Sequence, residues 1–171
     1  ASIKVLDAGC GTGQYTFAVL KRFKNAHIVA FDANQDFVDF VQHKALQKKY
    51  RGAVRAFVAD IKGDLQNIKG EKFDLIITSG VLEYVPQIEA VKNLSCFLVD
   101  DGYFLNSILR DTSWGKFIGW LYGCRPYLRR KNIEVFERCN FVLQKVMELP
   151  RYRPISYKEA HLFARKITHQ K

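Results

Sequence analysis

The chain has 171 residues, of which 48% are hydrophobic, a size and composition that suit one domain with an ordinary core. No apolar run is long enough to span a bilayer, and no apolar signal segment precedes the first predicted strand. We therefore predict a cytoplasmic protein with a single domain at 1–171. Four cysteines lie far apart without a CxxC pair, so we expect neither a disulfide framework nor a zinc or other metal site: Cys10, Cys96, Cys124 and Cys139.

The net charge of +10 is unevenly distributed along the chain. Residues 1–109 contain 13 basic and 12 acidic side chains, whereas residues 110–171 contain 14 and 5. A basic region of this kind can attract an anionic substrate, a nucleic acid or an acidic membrane surface. Charge alone leaves these partners open, and solubility is the commoner reason for scattered lysines.

The first 60 residues alternate between apolar strands and segments of helical period. Strands are predicted at 3–9, 27–32 and 54–60, with helices at 14–23 and 34–50 between them. Asn34 is placed to cap the second helix, and Asp36 lies in its first turn. This alternation is typical of a parallel sheet with helices on both faces.

The remaining chain continues the pattern as far as Arg110. A strand with its trailing loop is predicted at 72–85, a helix at 88–99 and a strand at 102–110. An aromatic and basic insert at about 110–131 follows, then a helical piece near 132–139 and two strands at 141–149 and 161–167. The segment between these two strands is too short for a crossover helix, so they should pair antiparallel. The predicted fold class is α/β, a doubly wound, mostly parallel seven-stranded sheet with an antiparallel last strand.

A glycine-rich turn, Gly9-Cys10-Gly11-Thr12-Gly13, joins the first strand to the first helix, with Asp7 just ahead of it. Glycine adopts positive φ freely and has no Cβ, so the backbone can approach a ligand closely there. The following helix directs free N–H groups toward that ligand. The GxGxG spacing departs from the GxGxxG of dinucleotide enzymes, which disfavours a nicotinamide-dependent oxidoreductase.

The motif "DAGCGTG" resembles the first motif of the class I S-adenosylmethionine-dependent methyltransferases. Asp32 closes the second strand in "VAFD", Asp60 closes the third in "FVAD", and "FDLIITSGVLEYV" is similar to the family's fourth motif. The resemblance extends over residues 3–167 and includes small-molecule enzymes of the ubiquinone-pathway type. It implies a Rossmann-like methyltransferase fold with S-adenosyl-L-methionine as cofactor and S-adenosyl-L-homocysteine as product.

The resemblance also implies a role for each matching residue. Asp32 would accept the two ribose hydroxyls and Asp60 the adenine amino group, although Asp64 lies close enough to be an alternative to Asp60. Asp7 would hold the ammonium group of the ligand through backbone or water. Other cofactor contacts are close backbone approach, apolar contact with adenine and contact with the methionine part, assigned respectively to Gly9, Gly11 and Gly13, to Ala33 and Ile61, and to Ser79 and Gly80.

Three side chains are candidates for a general base, namely His43, His161 and Tyr84. His43 is expected on the solvated face of the second helix, and His161 at the surface or in packing before the last strand. Tyr84 is best placed, in the loop after the fourth strand, where many small-molecule relatives have a histidine in "LEHV". Glu83 beside it could position the loop or act chemically.

An apolar helical stripe in the insert is formed by Trp114, Phe117, Ile118 and Leu121, with Trp120 nearby. It could pack on the sheet end as a lid, line an acceptor pocket through Trp114, Phe117 and Trp120, or dock on an anionic membrane beside a basic cluster that includes Arg125. Basic and aromatic residues, Tyr127 among them, would also suit nucleic acid. We expect no N-terminal helix as a cap over the acceptor pocket.

We predict a methyltransferase that acts on a small apolar or aromatic acceptor. The alternatives are an RNA methyltransferase that uses the basic C-terminal third and a catalytically silent methyltransferase-like scaffold.

Overall fold

Seven strands form one sheet in the computed structural model, in the order β3-β2-β1-β4-β5-β7-β6. The structure describes residues 2–47, 49–124, 126, 128–148 and 158–166. The strands are β1 (Ile3–Ala8), β2 (Ala26–Asp32), β3 (Val54–Val58), β4 (Phe73–Ser79), β5 (Leu98–Leu109), β6 (Phe141–Glu148) and β7 (Lys158–Arg165). The helices are α1 (Gln14–Arg22), α2 (Gln35–Ala45), α3 (Gln87–Ser95), α4 (Ser113–Leu121) and α5 (Arg129–Glu137), with short 3₁₀ helices at Gln66–Ile68 and Leu82–Tyr84.

The first five strands pair in parallel, and β7 pairs antiparallel with both β5 and β6. The predicted fold class is therefore confirmed. The strand order reverses between β1 and β4, because β2 lies on one side of β1 and β4 on the other. In sheets of this type a crevice opens at the carboxyl ends of the strands at that point.

The buried strands carry apolar side chains on both faces of the sheet. Successive residues of β1 point to opposite faces. Leu6 belongs to a cluster with Ile76 and Phe104, and Val5 to a second cluster with Ile28 on the other face. The core therefore holds the strand ends rigidly where the crevice opens. Among the described residues no helix is long and apolar enough to cross a membrane.

Several predicted boundaries are wrong, among them the start of the strand predicted at 102–110, which begins at Leu98. The helix predicted at 88–99 ends at Ser95, because Leu98 is fully buried and pairs with Phe73 of β4. The helix predicted at 34–50 ends at Ala45. β7 begins at Lys158 and not at 161, because Lys158 pairs with Leu109 of β5. Arg125, Tyr127 and most of the predicted connection between β6 and β7 lie outside the described residues.

His161 lies within β7 and is fully buried, so its expected place before the last strand and the surface alternative are wrong, whereas the packing alternative is confirmed. Its Nδ1 accepts a hydrogen bond of 2.7 Å from the Asn132 amide, and its Nε2 lies 2.8 Å from Oε1 of Glu159. The Asn132 oxygen in turn accepts from the Asn106 amide at 2.8 Å, and the Asn106 oxygen accepts from the Thr78 hydroxyl at 2.8 Å. A polar side chain inside a sheet protein is retained where its partners are present, and this network connects β4, β5, α5 and β7.

Replacing His161 with Phe should destabilise the fold, because the Asn132 amide and the Glu159 carboxylate would both lose a buried partner. We expect the free energy of unfolding to fall by about 2–4 kcal/mol in urea denaturation. His43→Phe is the control, because His43 is exposed on α2 and should change stability little. A loss of similar size in both variants would contradict a structural role for the network.

Candidate active site

A cavity of about 670 Å³ opens at the carboxyl ends of β1, β2 and β4. One end is lined by the glycine turn and by the residues that follow β2 and β3. The other end is lined by the loop after β4, the last residue of β5, the α4 region and the first residue of β7. The lining residues used below are Gly9, Gly11, Asp32, Ala33, Asp60, Ile61, Lys62, Ser79, Gly80, Tyr84, Leu109, Ile118, Tyr122, Cys124 and Lys158.

The glycines of the turn serve two different purposes. All three have positive φ, at +76° for Gly9, +50° for Gly11 and +73° for Gly13. A Cβ on Gly9 would lie 2.2 Å from Cγ2 of Val81, and one on Gly13 would lie 2.8 Å from the Phe17 ring, so packing requires glycine at both positions. Gly11 has no atom within 4 Å of its would-be Cβ. Its open side is where a ligand can approach the backbone.

Most of the amide donors of the turn are satisfied within the protein. Gly9 and Cys10 both donate to the Phe31 carbonyl, at 2.8 and 2.9 Å, and Gly11 donates to Oδ2 of Asp32 at 2.8 Å. A phosphate cradle requires amide donors directed at the ligand. Because these three are already used, the turn suits close contact with a ligand that lacks phosphate.

Asp32 lies at the end of β2 and lines the cavity. Its Oδ2 accepts from Gly11, and its Oδ1 accepts from the Asn34 amide at 3.0 Å. Asn34 caps α2 by accepting from Asp36, as predicted. A carboxylate has about four lone-pair sites, so each oxygen of Asp32 can accept a further bond from a ligand hydroxyl. Two backbone amides therefore fix the carboxylate of Asp32 at the cavity wall.

Asp60 and Ile61 follow β3 at the same end of the cavity. Oδ1 of Asp60 accepts from the Lys62 amide at 2.9 Å, and Oδ2 lies 3.9 Å from the Lys62 ammonium. Ile61 is buried and Ala33 is exposed, and both line the cavity. Asp64 does not line the cavity, so the geometry favours Asp60 over it.

Asp7, which precedes the turn, and Gly13, its last residue, do not line the cavity. Oδ2 of Asp7 accepts from the amide and the hydroxyl of Thr16, at 3.0 and 2.5 Å, and this ties α1 to the end of β1. Burial raises the pKa of Asp7 to about 6, despite the hydrogen bonds from Thr16 that lower it. Contact between Asp7 and a ligand ammonium stays a prediction.

Tyr84 lines the cavity and donates a hydrogen bond of 3.1 Å to the Tyr122 carbonyl. Partial burial, then the Cys124 side chain, raises the pKa of Tyr84 above its ordinary value. Its hydroxyl therefore stays protonated at neutral pH, which suits hydrogen bonding to an acceptor better than accepting a proton. His43 and His161, the other two candidates for a base, do not line the cavity.

Two further charged side chains lie near the loop after β4, namely Lys158, which lines the cavity, and Glu83, which does not. The Lys158 ammonium lies 3.3 Å from the Ser79 hydroxyl, to which it donates. Glu83 accepts from the Leu109 amide at 3.1 Å through Oε1, while its Oε2 is buried without a hydrogen-bond partner among the described residues. Burial raises the pKa of Glu83. Lys158 is not predicted as a site residue, because the strand predicted at 161–167 begins after it.

Helix α4 packs through glycine and not through its aromatic stripe. A Cβ on Gly115 would lie 1.9 Å from the Arg110 carbonyl oxygen, so the helix approaches that loop closely. Because Trp114, Phe117 and Leu121 are exposed, the stripe does not pack on the sheet, and a lid role of the insert stays a prediction. Trp114, Phe117 and Trp120 are exposed and lie outside the cavity, with the first two rings stacked at 5.3 Å. Their contact with an acceptor stays a prediction, and Ile118 is the residue of α4 that lines the cavity.

Comparison with known proteins identifies the family. Residues 6–104 match a model described as a methyltransferase domain, so the chain belongs to that family. It is 29% identical over 118 residues to a ubiquinone biosynthesis O-methyltransferase of Bartonella bacilliformis (67% of this chain, 45% of the relative). It is 29% identical over 109 residues to a malonyl-[acyl-carrier protein] O-methyltransferase of Bacillus cereus (63% and 38%). The chain thus spans less than half the length of these curated relatives.

The fold is similar to that of geranyl diphosphate C-methyltransferase from Streptomyces coelicolor A3(2), solved with S-adenosyl-L-homocysteine. The TM-score is 0.74 at 15% identity, with 98% of this chain and 74% of the other covered. The predicted family, the S-adenosylmethionine-dependent methyltransferases, is confirmed, and so is its cofactor. The open side of Gly11 and the remaining lone pairs of Asp32 fit a nucleoside without phosphate.

Asp32→Ala should weaken the affinity for S-adenosylhomocysteine by at least about tenfold, because one charged acceptor for the ribose is removed. Asp64→Ala is the matched control, since Asp64 is exposed and outside the cavity. Isothermal titration calorimetry measures both. Unchanged affinity in Asp32→Ala would refute the ribose assignment.

Asp7 should make stability depend on pH in a defined direction. A carboxyl with a raised pKa holds its proton more tightly in the folded chain, so its contribution to stability falls as pH rises through about 4 to 7. From pH 5 to 7.5 this amounts to about 1 kcal/mol. Urea unfolding of Asp7→Asn at the two pH values should show that much less decline than the parent protein. An identical decline would contradict the raised pKa.

Proposed function

We propose that the chain transfers a methyl group from S-adenosylmethionine to a small apolar or aromatic acceptor. When bound, the cofactor supplies an electrophilic methyl group on a sulfonium. The observation that carries the proposal is a cavity that joins one end, lined by Gly11, Asp32 and Asp60, to a second end lined by different elements.

At the cofactor end, each residue has a binding task. Asp32 accepts the ribose hydroxyls, Asp60 accepts the adenine amino group, and Ile61 and Ala33 provide apolar contact with the adenine faces. Gly11 admits the amino-acid portion because its side toward the cavity is open. Ser79 and Gly80, at the end of β4, lie where the methionine part would reach the second end.

At the acceptor end, the walls are mainly apolar and aromatic. Leu109, Ile118 and Tyr122 form these walls, and Tyr84 provides a hydroxyl for orientation. Holding the acceptor in line with the methyl group can lower the barrier by about 7 kcal/mol or more in favourable cases. The protein therefore needs position more than a strong base, and the protonated Tyr84 is consistent with that.

The names of the relatives support a small acceptor. One is an O-methyltransferase of ubiquinone biosynthesis, and the structural neighbour is a C-methyltransferase of geranyl diphosphate. A third is an O-methyltransferase of malonyl-[acyl-carrier protein], in which the small acyl group is carried on a protein. The RNA alternative has weaker support, because several basic side chains near α4 and α5 are already in ion pairs with carboxylates. These are Arg110 with Glu148 and Glu159, Lys116 with Asp111, Arg129 with Glu148 and Glu159, and Arg130 with Glu134.

Ile118→Trp tests the position of the acceptor. The added ring should occupy the acceptor end and lower methyl transfer at least tenfold in a screen of phenols, carboxylic acids and prenyl compounds, while the affinity for S-adenosylhomocysteine changes less than twofold. Val142→Trp is the control, because it adds the same ring at an exposed position outside the cavity. Equal loss of cofactor affinity and transfer in Ile118→Trp would contradict the division of the cavity. A steep dependence of transfer on polynucleotide and salt would favour RNA instead.

A further inference from the structure

We propose that Lys158 forms an oxyanion-binding subsite at the acceptor end of the cavity, so that the acceptor carries a carboxylate or phosphate group. This inference rests on the proposed function and narrows its acceptor to an apolar or aromatic molecule with one anionic end.

The position of Lys158 is fixed by the sheet. It is the first residue of β7 and pairs in antiparallel register with Leu109, the last residue of β5. From there its side chain reaches the end of β4, where the ammonium donates to the Ser79 hydroxyl at 3.3 Å. The same ammonium lies 3.5 Å from where a Cβ of Gly80 would be, so a larger residue at 80 would crowd it.

The charge of this ammonium is poorly compensated. An ammonium has three donors, and among the described residues Ser79 is its only hydrogen-bond partner and no carboxylate lies within 4.0 Å. Burial lowers the pKa of Lys158, an effect that Glu83 only partly offsets. Lys62, at the other end of the cavity, differs because it is more exposed and lies 3.9 Å from Asp60. A partly buried cation without a close counter-charge favours an incoming anion.

Glu83 does not provide the counter-charge to the Lys158 ammonium. Its Oε1 is used by the Leu109 amide, and its Oε2 is buried without a partner among the described residues. Burial raises the pKa of Glu83, which favours its neutral form, so Glu83 offers the Lys158 ammonium little counter-charge. The cavity therefore presents one ammonium near Ser79 and Gly80.

Electrostatics favours an anion on the acceptor. With the cofactor bound, the sulfonium would add a second positive charge to the same end of the cavity, and two cations in a partly buried site repel each other. An oxyanion on the acceptor would compensate both charges. It would also fix the opposite end of the molecule against the apolar walls formed by Leu109 and Ile118. The rival reading is that Lys158 binds the carboxylate of the cofactor itself.

The test uses the full chain and three fluorinated probes, followed by fluorine NMR. They are 4-fluorobenzoate, 4-fluorophenyl phosphate and the neutral 4-fluorobenzamide, each with and without saturating S-adenosylhomocysteine. We expect at least one of the two anionic probes to bind tenfold or more tightly than the amide. Lys158→Met and Lys158→Gln should abolish that preference and leave the affinity for S-adenosylhomocysteine within twofold, which also shows that the variants fold. Lys62→Met, the matched control, should keep the preference.

Three results would overturn the inference. One is equal or absent binding of all three probes to the parent protein. The second is an anion preference that survives in both Lys158 variants. The third is a loss of S-adenosylhomocysteine affinity of tenfold or more in folded Lys158 variants, which would assign the ammonium to the cofactor carboxylate. Failure of the parent protein to bind S-adenosylhomocysteine would instead refute the proposed function, because the probes are also measured without it.

Discussion

The hydrogen bond between the Gly11 amide and the Asp32 carboxylate, at 2.8 Å, is the interaction on which the site depends. It joins the end of β2 to the turn after β1, while the Phe31 carbonyl holds the two preceding amides of the same turn. The turn is thereby kept in a conformation that only glycine adopts easily, and Gly11 lines the cavity with open space beside its Cα. Asp32 is fixed by the same bond. One contact therefore prepares both the backbone surface and the acid that a nucleoside requires.

The acceptor end depends on contacts between distant parts of the chain. The buried network from Thr78 through Asn106, Asn132 and His161 to Glu159 connects β4, β5, α5 and β7. Arg129 extends it by binding Glu159 at 2.6 Å. Burial alone would raise the pKa of Glu159, but hydrogen bonds from His161 and Arg129 lower it to about 2, so the carboxylate stays ionised and the link persists until strongly acid pH. This network holds β7 where Lys158 reaches Ser79.

Local sequence signals indicate which residues lie together at one end of the cavity. Glycines after a strand and acids at strand ends are near neighbours in the chain, and parallel strands bring their carboxyl ends together. Gly11, Asp32 and Asp60 accordingly meet in one cavity. The acceptor end followed no such local rule. The aromatic stripe of α4 is not the packed face of that helix. The face with Gly115 packs instead, because this glycine approaches the Arg110 carbonyl closely. His161 and Lys158 were misplaced because their environment arises from the antiparallel pairing of β7 with β5.

The central claim is that a nucleoside binds across the glycine turn with its sugar at Asp32. A crystal structure of the protein with S-adenosylhomocysteine tests it most directly. The account predicts ribose hydroxyl oxygens about 2.6–3.0 Å from the Asp32 carboxylate oxygens, and ligand atoms in contact with the open side of Gly11. A ligand bound elsewhere, or a ribose turned away from Asp32 with the turn intact, would contradict it.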